Sequence, residues 1–207
     1  MYSIKEIYKT IQGEGAQSGQ SAVFVRFSGC NLWSGKEKHR DDAICKFCDT
    51  DFVGTDGVNG GKYSIETLIT KIKELWDSEE EAYVVFTGGE PMLQLDQKLI
   101  SACKKVNFIT AIETNGTIKI DFDIDWICVS PKAGSKLLVN KGNELKVVYP
   151  QDEFDLKSFE TLNFDHFFLQ PMDSEDKINN TENAIKFCLK NPKWKLSIQQ
   201  HKILGID

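Results

Sequence analysis

Seven short runs of this chain are apolar and rich in β-branched and aromatic residues: 22–27, 83–87, 108–113, 126–129, 144–149, 167–170 and 195–199. Several are continuous rather than alternating, the pattern of strands covered on both faces in a parallel sheet. Helical periodicity lies between some of them. Ile65, Leu68, Ile69, Ile72 and Leu75 recur at helical spacing behind Ser64, which is placed to cap the helix. Residues 95–106 and 180–189 read as two further helices, and 155–162 as a weaker one. The connections 114–124 and 131–143 carry no helical period and contain Gly116, Pro131, Gly134 and Gly142. Strand–helix alternation with missing helices predicts a helix-poor α/β fold of six or seven strands, an open sheet or a partial barrel. Six or seven strands are too few for a closed eight-stranded barrel, and in either form the chemistry belongs at the C-terminal strand ends.

With 207 residues and no repeat, linker or low-complexity segment, the chain is expected to form a single domain spanning 1–207. Its 25 basic and 31 acidic residues give a net charge of −6. No basic stripe is visible, which argues against nucleic acid or an anionic membrane surface as partner. MYSIKEIYKT has early charges and no apolar h-region, and no run approaches the ~18–20 residues of a membrane span. A cytoplasmic location is therefore expected, where six cysteines are free, catalytic or metal-bound rather than disulfide-paired.

Three of those cysteines form the strongest local signal: Cys30 after the run 22–27, then Cys45-Lys46-Phe47-Cys48. Three thiolates can hold three irons of a 4Fe–4S cluster and leave the fourth open to a ligand. Zinc, with His39 or a distant cysteine as fourth ligand, fits the same residues, and the cysteines alone leave both readings open. Cys103, Cys128 and Cys188 fall on apolar faces and read as core residues. The second signal is Thr87-Gly88-Gly89-Glu90-Pro91 after the run 83–87. Paired glycines there let backbone pass close to a ligand, although alone the motif is also an ordinary strand-to-helix turn.

Together the cysteine triad and the GGEP turn resemble the radical S-adenosylmethionine superfamily, which implies an incomplete TIM-type barrel of about six parallel strands with a cluster-binding loop at 30–48. The usual spacing there is CxxxCxxC, whereas fourteen residues, 31–44, separate the first two cysteines here. Ile11-Gln12-Gly13-Glu14-Gly15, Arg26-Phe27-Ser28-Gly29-Cys30-Asn31-Leu32-Trp33 and Phe47-Cys48-Asp49-Thr50 narrow the resemblance to the 7-carboxy-7-deazaguanine synthase family. So do Glu113-Thr114-Asn115-Gly116, Ser130-Pro131-Lys132, Asn143-Glu144-Leu145-Lys146, Gln170-Pro171-Met172-Asp173 and Gln200-His201-Lys202.

The resemblance implies a radical ring contraction of 6-carboxy-5,6,7,8-tetrahydropterin to 7-carboxy-7-deazaguanine with loss of ammonia, on the route to queuosine and other deazapurines. It assigns Cys30, Cys45 and Cys48 to a 4Fe–4S cluster and Thr50 to magnesium. It assigns Phe47, Cys48, Asp49, Gly89, Ser130, Pro131, Lys132, Gln170, Pro171, Met172 and Asp173 to the S-adenosylmethionine site. Ile11, Gln12, Gly13, Arg26, Thr87 and the terminal carboxylate of Asp207 fall to the substrate, with Glu14, Glu113, Asn115 and His201 as catalytic candidates. A flavodoxin or ferredoxin as electron donor and a homodimer are further implications. Taken without the resemblance, Arg26 could pair with a carboxylate on the sheet, Lys132 could be solvated, and His201 could be a surface residue. The rival readings are a glycyl-radical activase, which lacks QGEG, and a zinc-stabilised binding module.

Overall fold

The computed structural model describes residues 1–206; Asp207, expected at the substrate, lies outside the described residues. Its strands are β1 (Tyr2–Ile11), β2 (Ser21–Phe27), β3 (Gly61–Tyr63), β4 (Tyr83–Gly88), β5 (Ile109–Thr114), β6 (Trp126–Val129), β7 (Lys141–Tyr149), β8 (Asn163–Pro171) and β9 (Trp194–Leu196). They form one sheet in the order β3-β1-β2-β4-β5-β6-β7-β8-β9. The seven strands from β2 to β9 in that order are parallel, while β1 runs antiparallel to both β2 and β3. The sheet is open, with β3 and β9 as its edges.

The helices are α1 (Ile65–Trp76), α2 (Gln97–Lys105), α3 (Leu156–Phe159), α4 (Lys177–Lys190) and α5 (Gln200–Leu204). Ser64 caps α1 through a reciprocal box with Thr67, each side chain satisfying the other's backbone N–H. Asp96 caps α2 by accepting from Leu99 N. No helix crosses between β5 and β6 or between β6 and β7, as the missing periodicity predicts. Among the described residues, no helix is long and apolar enough to cross a membrane.

Strand alternation divides each inner strand between two surroundings. Val23, Val25 and Phe27 of β2, Val84 and Phe86 of β4 and Ile112 of β5 pack with Leu68 and Ile72 of α1 and Leu99, Ile100 and Cys103 of α2. Their neighbours Ala22, Tyr83, Val85 and Ala111 form a second small cluster with Phe24 and Trp126. Leu145 and Val147 of β7, with Phe167 and Leu169 of β8, pack with Leu156, Ala184 and Trp194. Continuous apolar runs result, because both alternating sets are covered. Toward the C-terminal strand ends the second set turns polar: Arg26, Thr87, Glu113, Lys146 and Gln170 interrupt otherwise apolar segments.

The seven apolar runs of the sequence become the seven parallel strands, one more than the six implied by resemblance. The antiparallel β1 and β3 are added to them. β1 was not legible as a strand because Lys5, Glu6 and Lys9 break its apolar pattern and a bulge between Ile4 and Glu6 shifts its phase. β3 has three residues, too few for any pattern. Residues 79–81, the acidic run after α1, are exposed.

Leu99, fully buried between α2 and the sheet, should report on this packing. Leu99→Ala is expected to cost about 2–5 kcal/mol, read as a lowered midpoint in denaturant with an unchanged slope.

Candidate active site

At the C-terminal ends of the parallel strands lies a cavity of about 500 Å³. Strand ends form its floor, the 30–51 loop one side and the segment around α5 the other. Cys30, Cys45 and Cys48 all line it.

The long interval between the first two cysteines is a closed excursion. Leu32 O accepts hydrogen bonds from both Ile44 N (3.1 Å) and Cys45 N (3.3 Å), so the chain leaves and returns at one point. Without the looped-out residues 33–43, the backbone reads Cys30-Asn31-Leu32-Ile44-Cys45-Lys46-Phe47-Cys48, which is CxxxCxxC. The excursion folds back over the loop. Arg40 stacks on the Trp33 ring at 4.0 Å and donates through Nη1 to the carbonyls of Lys46 (2.7 Å) and Cys48 (3.2 Å). His39 Nδ1 faces Ser34 Oγ at 2.8 Å.

The donor set fits a cluster better than a single ion. Zinc needs four donors converging on one point, and among the described residues no three His, Cys, Asp or Glu side chains converge in that way. A cluster offers each thiolate a separate iron. The Cys45 and Cys48 thiols are paired, and a hydrogen bond from Cys45 brings Cys48 down to about 6, against the effect of burial, while Cys45 is pushed up.

The GGEP turn locks onto this loop. A Cβ at Gly89 would overlap the Gly29 carbonyl and lie 2.7 Å from Cys30 Cβ, so only glycine permits the approach. Glu90 N donates to Gly29 O at 2.9 Å. The fully buried Glu90 carboxylate accepts from Met92 N (3.0 Å), Thr114 Oγ1 (2.7 Å) and Asn115 N (2.8 Å). Burial pushes its pKa up, against those three donors. Asn115 itself spends its side chain on Asn31 Oδ1 (3.0 Å) and Thr117 N (3.0 Å), which braces the cysteine loop.

On the floor, Arg26 donates from Nε to Glu6 Oε1 (2.7 Å) and from Nη2 to the Tyr8 hydroxyl (2.9 Å). The carboxylate pairing that the sequence left open is therefore real, yet Arg26 also lines the cavity beside Thr87. Gln12 Nε2 donates to Glu113 Oε1 at 2.9 Å, and Lys146 Nζ bridges Glu113 and Glu14. Burial raises the Glu14 carboxyl, but the charge and hydrogen bond of Lys146 overcome it and hold it below the usual range.

The C-terminal segment closes the other side. Gln200 N donates to Gly13 O (3.0 Å), and a Cβ on Gly13 would sit 2.8 Å from His201 N. Lys202 pairs with Asp49 of the cysteine loop and Asp173 beyond β8, both at 2.5 Å. Ser197 Oγ donates to Gln170 Oε1 at 3.0 Å. Lys132 folds back on Ser130, donating to its carbonyl and hydroxyl at 2.7 Å, and is half-buried rather than solvated.

One cavity thus gathers Ile11, Gln12, Gly13, Glu14, Arg26, the three cysteines, Phe47, Asp49, Thr50, Thr87 and Gly89. It also gathers Glu113, Asn115, Ser130, Lys132, Gln170, Pro171, Met172, Asp173 and His201, while Pro131 is not part of its lining. Sequence reasoning missed Glu6, Tyr8, Lys146 and Lys202, which line it too. Lys146 had a signal, a lysine inside the apolar run 144–149. Glu6 and Tyr8 went unseen with β1. Cys128 is buried as expected, but its thiol donates to Glu144 Oε1 at 3.3 Å rather than resting in apolar surroundings.

Gly89→Ala is expected to leave a folded protein whose melting temperature falls by a few degrees, while iron and sulfide incorporation drop several-fold. Iron and sulfide analysis beside circular dichroism checks this.

Comparison with known proteins places these features in a family. The Radical SAM superfamily matches residues 40–141. The 7-carboxy-7-deazaguanine synthase of Burkholderia multivorans is 55% identical over 207 residues, covering 99% of both chains. That of Nitratidesulfovibrio vulgaris is 47% identical, again covering 99% of each. The crystal structure of QueE from Escherichia coli superposes with a TM-score of 0.73 at 27% identity, over 97% of this chain and 94% of that one. With full-length identity at this level, and the cysteine loop and GGEP turn meeting at one cavity, the chain belongs to the 7-carboxy-7-deazaguanine synthase family of radical S-adenosylmethionine enzymes.

Proposed function

We propose that the protein converts 6-carboxy-5,6,7,8-tetrahydropterin to 7-carboxy-7-deazaguanine with loss of ammonia, in queuosine and deazapurine biosynthesis. The observation that carries this reading is one cavity with three thiols on one side and a guanidinium and two carboxylates on its floor. Substrate and product differ by one molecule of ammonia, so the conversion needs no net electrons. That balance suits a radical initiator which is regenerated at the end of each turnover.

Cys30, Cys45 and Cys48 would hold the 4Fe–4S cluster. Phe47, Asp49, Gly89, the Ser130-Pro131-Lys132 segment and Gln170-Pro171-Met172-Asp173 would hold S-adenosylmethionine. When bound, these two groups supply a carbon radical able to take a hydrogen atom from the substrate. The chain's own residues do the rest. Arg26 presents a planar cation suited to the substrate carboxylate, and Glu6 and Tyr8 fix its plane. Gln12 and the Gly13 backbone offer amide groups to the polar heterocycle edge, with Ile11 and Thr87 beside them. Glu14, Glu113 and His201 stand where ring N–H groups would be read or deprotonated. The strand floor and the α5 segment keep water from the reacting ring.

Magnesium is part of the proposal, with Thr50 as its protein ligand, because magnesium keeps most of its oxygen ligands from water and substrate. A flavodoxin or ferredoxin as electron donor, a homodimer, a cytoplasmic location and folding as one domain over 1–207 complete it.

An anaerobic assay tests the reading. Reconstituted protein, S-adenosylmethionine, reductant, magnesium and the carboxytetrahydropterin should yield the deazaguanine by mass spectrometry, without net loss of S-adenosylmethionine. Appearance of 5′-deoxyadenosine without the deazaguanine would leave the radical chemistry standing and overturn the substrate. Thr50→Ala should cut the rate at least tenfold and flatten its response to magnesium; an unchanged response removes the metal assignment. Deleting residues 201–207 should abolish turnover while iron content stays at the wild-type level.

A further inference from the structure

Lys146 is the cation that the floor of the cavity is built around. Its side chain is only 4% exposed, and it points from β7 between Glu14 of the β1–β2 turn and Glu113 at the end of β5, reaching Glu113 Oε2 at 3.3 Å. Those two carboxylates are more open, at 14% and 25%, and both line the cavity. Each is fixed on its far side as well: Gln12 Nε2 donates to Glu113 Oε1, while Gln199 and His201 stand beside Glu14. Two carboxylates, one from the β1–β2 turn and one from β5, therefore share one buried ammonium. Glu144 lies two residues along β7, but its carboxylate accepts from Ala16 N (2.8 Å) and from the Cys128 thiol (3.3 Å). Cys128 of β6, Tyr83 of β4 and Lys132 are the other titratable groups around this centre.

We propose that Lys146 is a positioning residue that keeps Glu14 and Glu113 ionised together and turned into the cavity as a paired acceptor for substrate N–H groups. The role rests on the pterin reading above. Two enclosed carboxylates with no cation between them do not both stay ionised; one takes a proton and becomes a donor. A donor at that position would face the N–H edge of the heterocycle and repel it. Burial disfavours the charge on Lys146, yet its acidic neighbours hold its pKa well above the ordinary value, so the ammonium persists throughout the neutral range. A purely structural lysine would only need to join β7 to the β1–β2 turn. Its loss would weaken the fold without changing the protonation of the pair.

The experiment separates these roles before any substrate is added. Infrared difference spectra of Lys146→Met against wild type, both as purified folded protein at pH 7, should show a new protonated-carboxyl band. The band should vanish when Glu113→Gln or Glu14→Gln is added to Lys146→Met. In the loaded enzyme, kcat/KM of Lys146→Met should fall at least tenfold at pH 7 and recover as pH rises toward 9, because raised carboxyl pKa values are passed only at higher pH. Lys146→Arg should keep kcat/KM within about threefold and show no band. If Lys146→Met does not fold, Lys146→Gln carries the same measurement. A folded variant without the band, or a band that persists in both double variants because the proton sits on Glu144, overturns the proposal. A wild-type enzyme with a full cluster that makes no deazaguanine instead sinks the substrate reading, and the infrared result then stands on its own.

Discussion

Glu90, fully buried, joins three strand ends through its carboxylate and its backbone N–H. The carboxylate accepts from Thr114 Oγ1 and Asn115 N at the end of β5, while the backbone N–H donates to Gly29 at the end of β2. Because Glu90 itself follows β4, the tips of β2, β4 and β5 become one unit. A buried carboxylate is costly unless its lone pairs are met, and here three donors meet them. The cysteine loop starts from this unit at Cys30, Gly89 packs on it, and Asn115 reaches across to Asn31. Loops are ordinarily the mobile part of such a fold. In this one, the loop that carries the thiols is anchored to the sheet through a residue that never meets solvent.

A second layer of restraint comes from the opposite end of the chain. Lys202 reaches both the cysteine loop and the end of β8, and Gln200 holds the Gly13 turn. The N-terminal turn, the cysteine loop and the C-terminal segment thus meet around one cavity, although they are far apart in sequence. The charges are arranged by function as well: Arg26 with Glu6 on one flank, Lys146 with Glu14 and Glu113 on the other. A ligand with a carboxylate at one end and N–H donors at the other would meet complementary groups at both.

Much of this was legible in the sequence because parallel strands covered on both faces leave continuous apolar runs. The GGEP turn and the cysteines stood out because their residue types suit little else in combination. β1 was not legible, since a bulged strand with one face toward the cavity carries Lys5, Glu6 and Lys9 where a core strand would carry apolar residues. Glu6 and Tyr8 were lost with it. Lys202 was quoted as part of a motif, but its two aspartate partners lie 153 and 29 residues away, and no local pattern encodes pairs so distant. Lys146 was hidden differently. Its run reads as core, and only the alternation of β7 shows that a lysine there must face inward.

The closed excursion between Leu32 and Ile44 also says something about how such a loop tolerates change. Its two ends are held together by hydrogen bonds to a single carbonyl, so residues added or removed within it do not alter the separation of the cysteines in space. The entropic cost of a longer tether grows only with the logarithm of its length. Cysteine spacing along the chain is therefore a quantity free to drift at this position, whereas the distance between thiols is not. A family defined by counting residues between cysteines would exclude this protein; one defined by where the backbone returns would not.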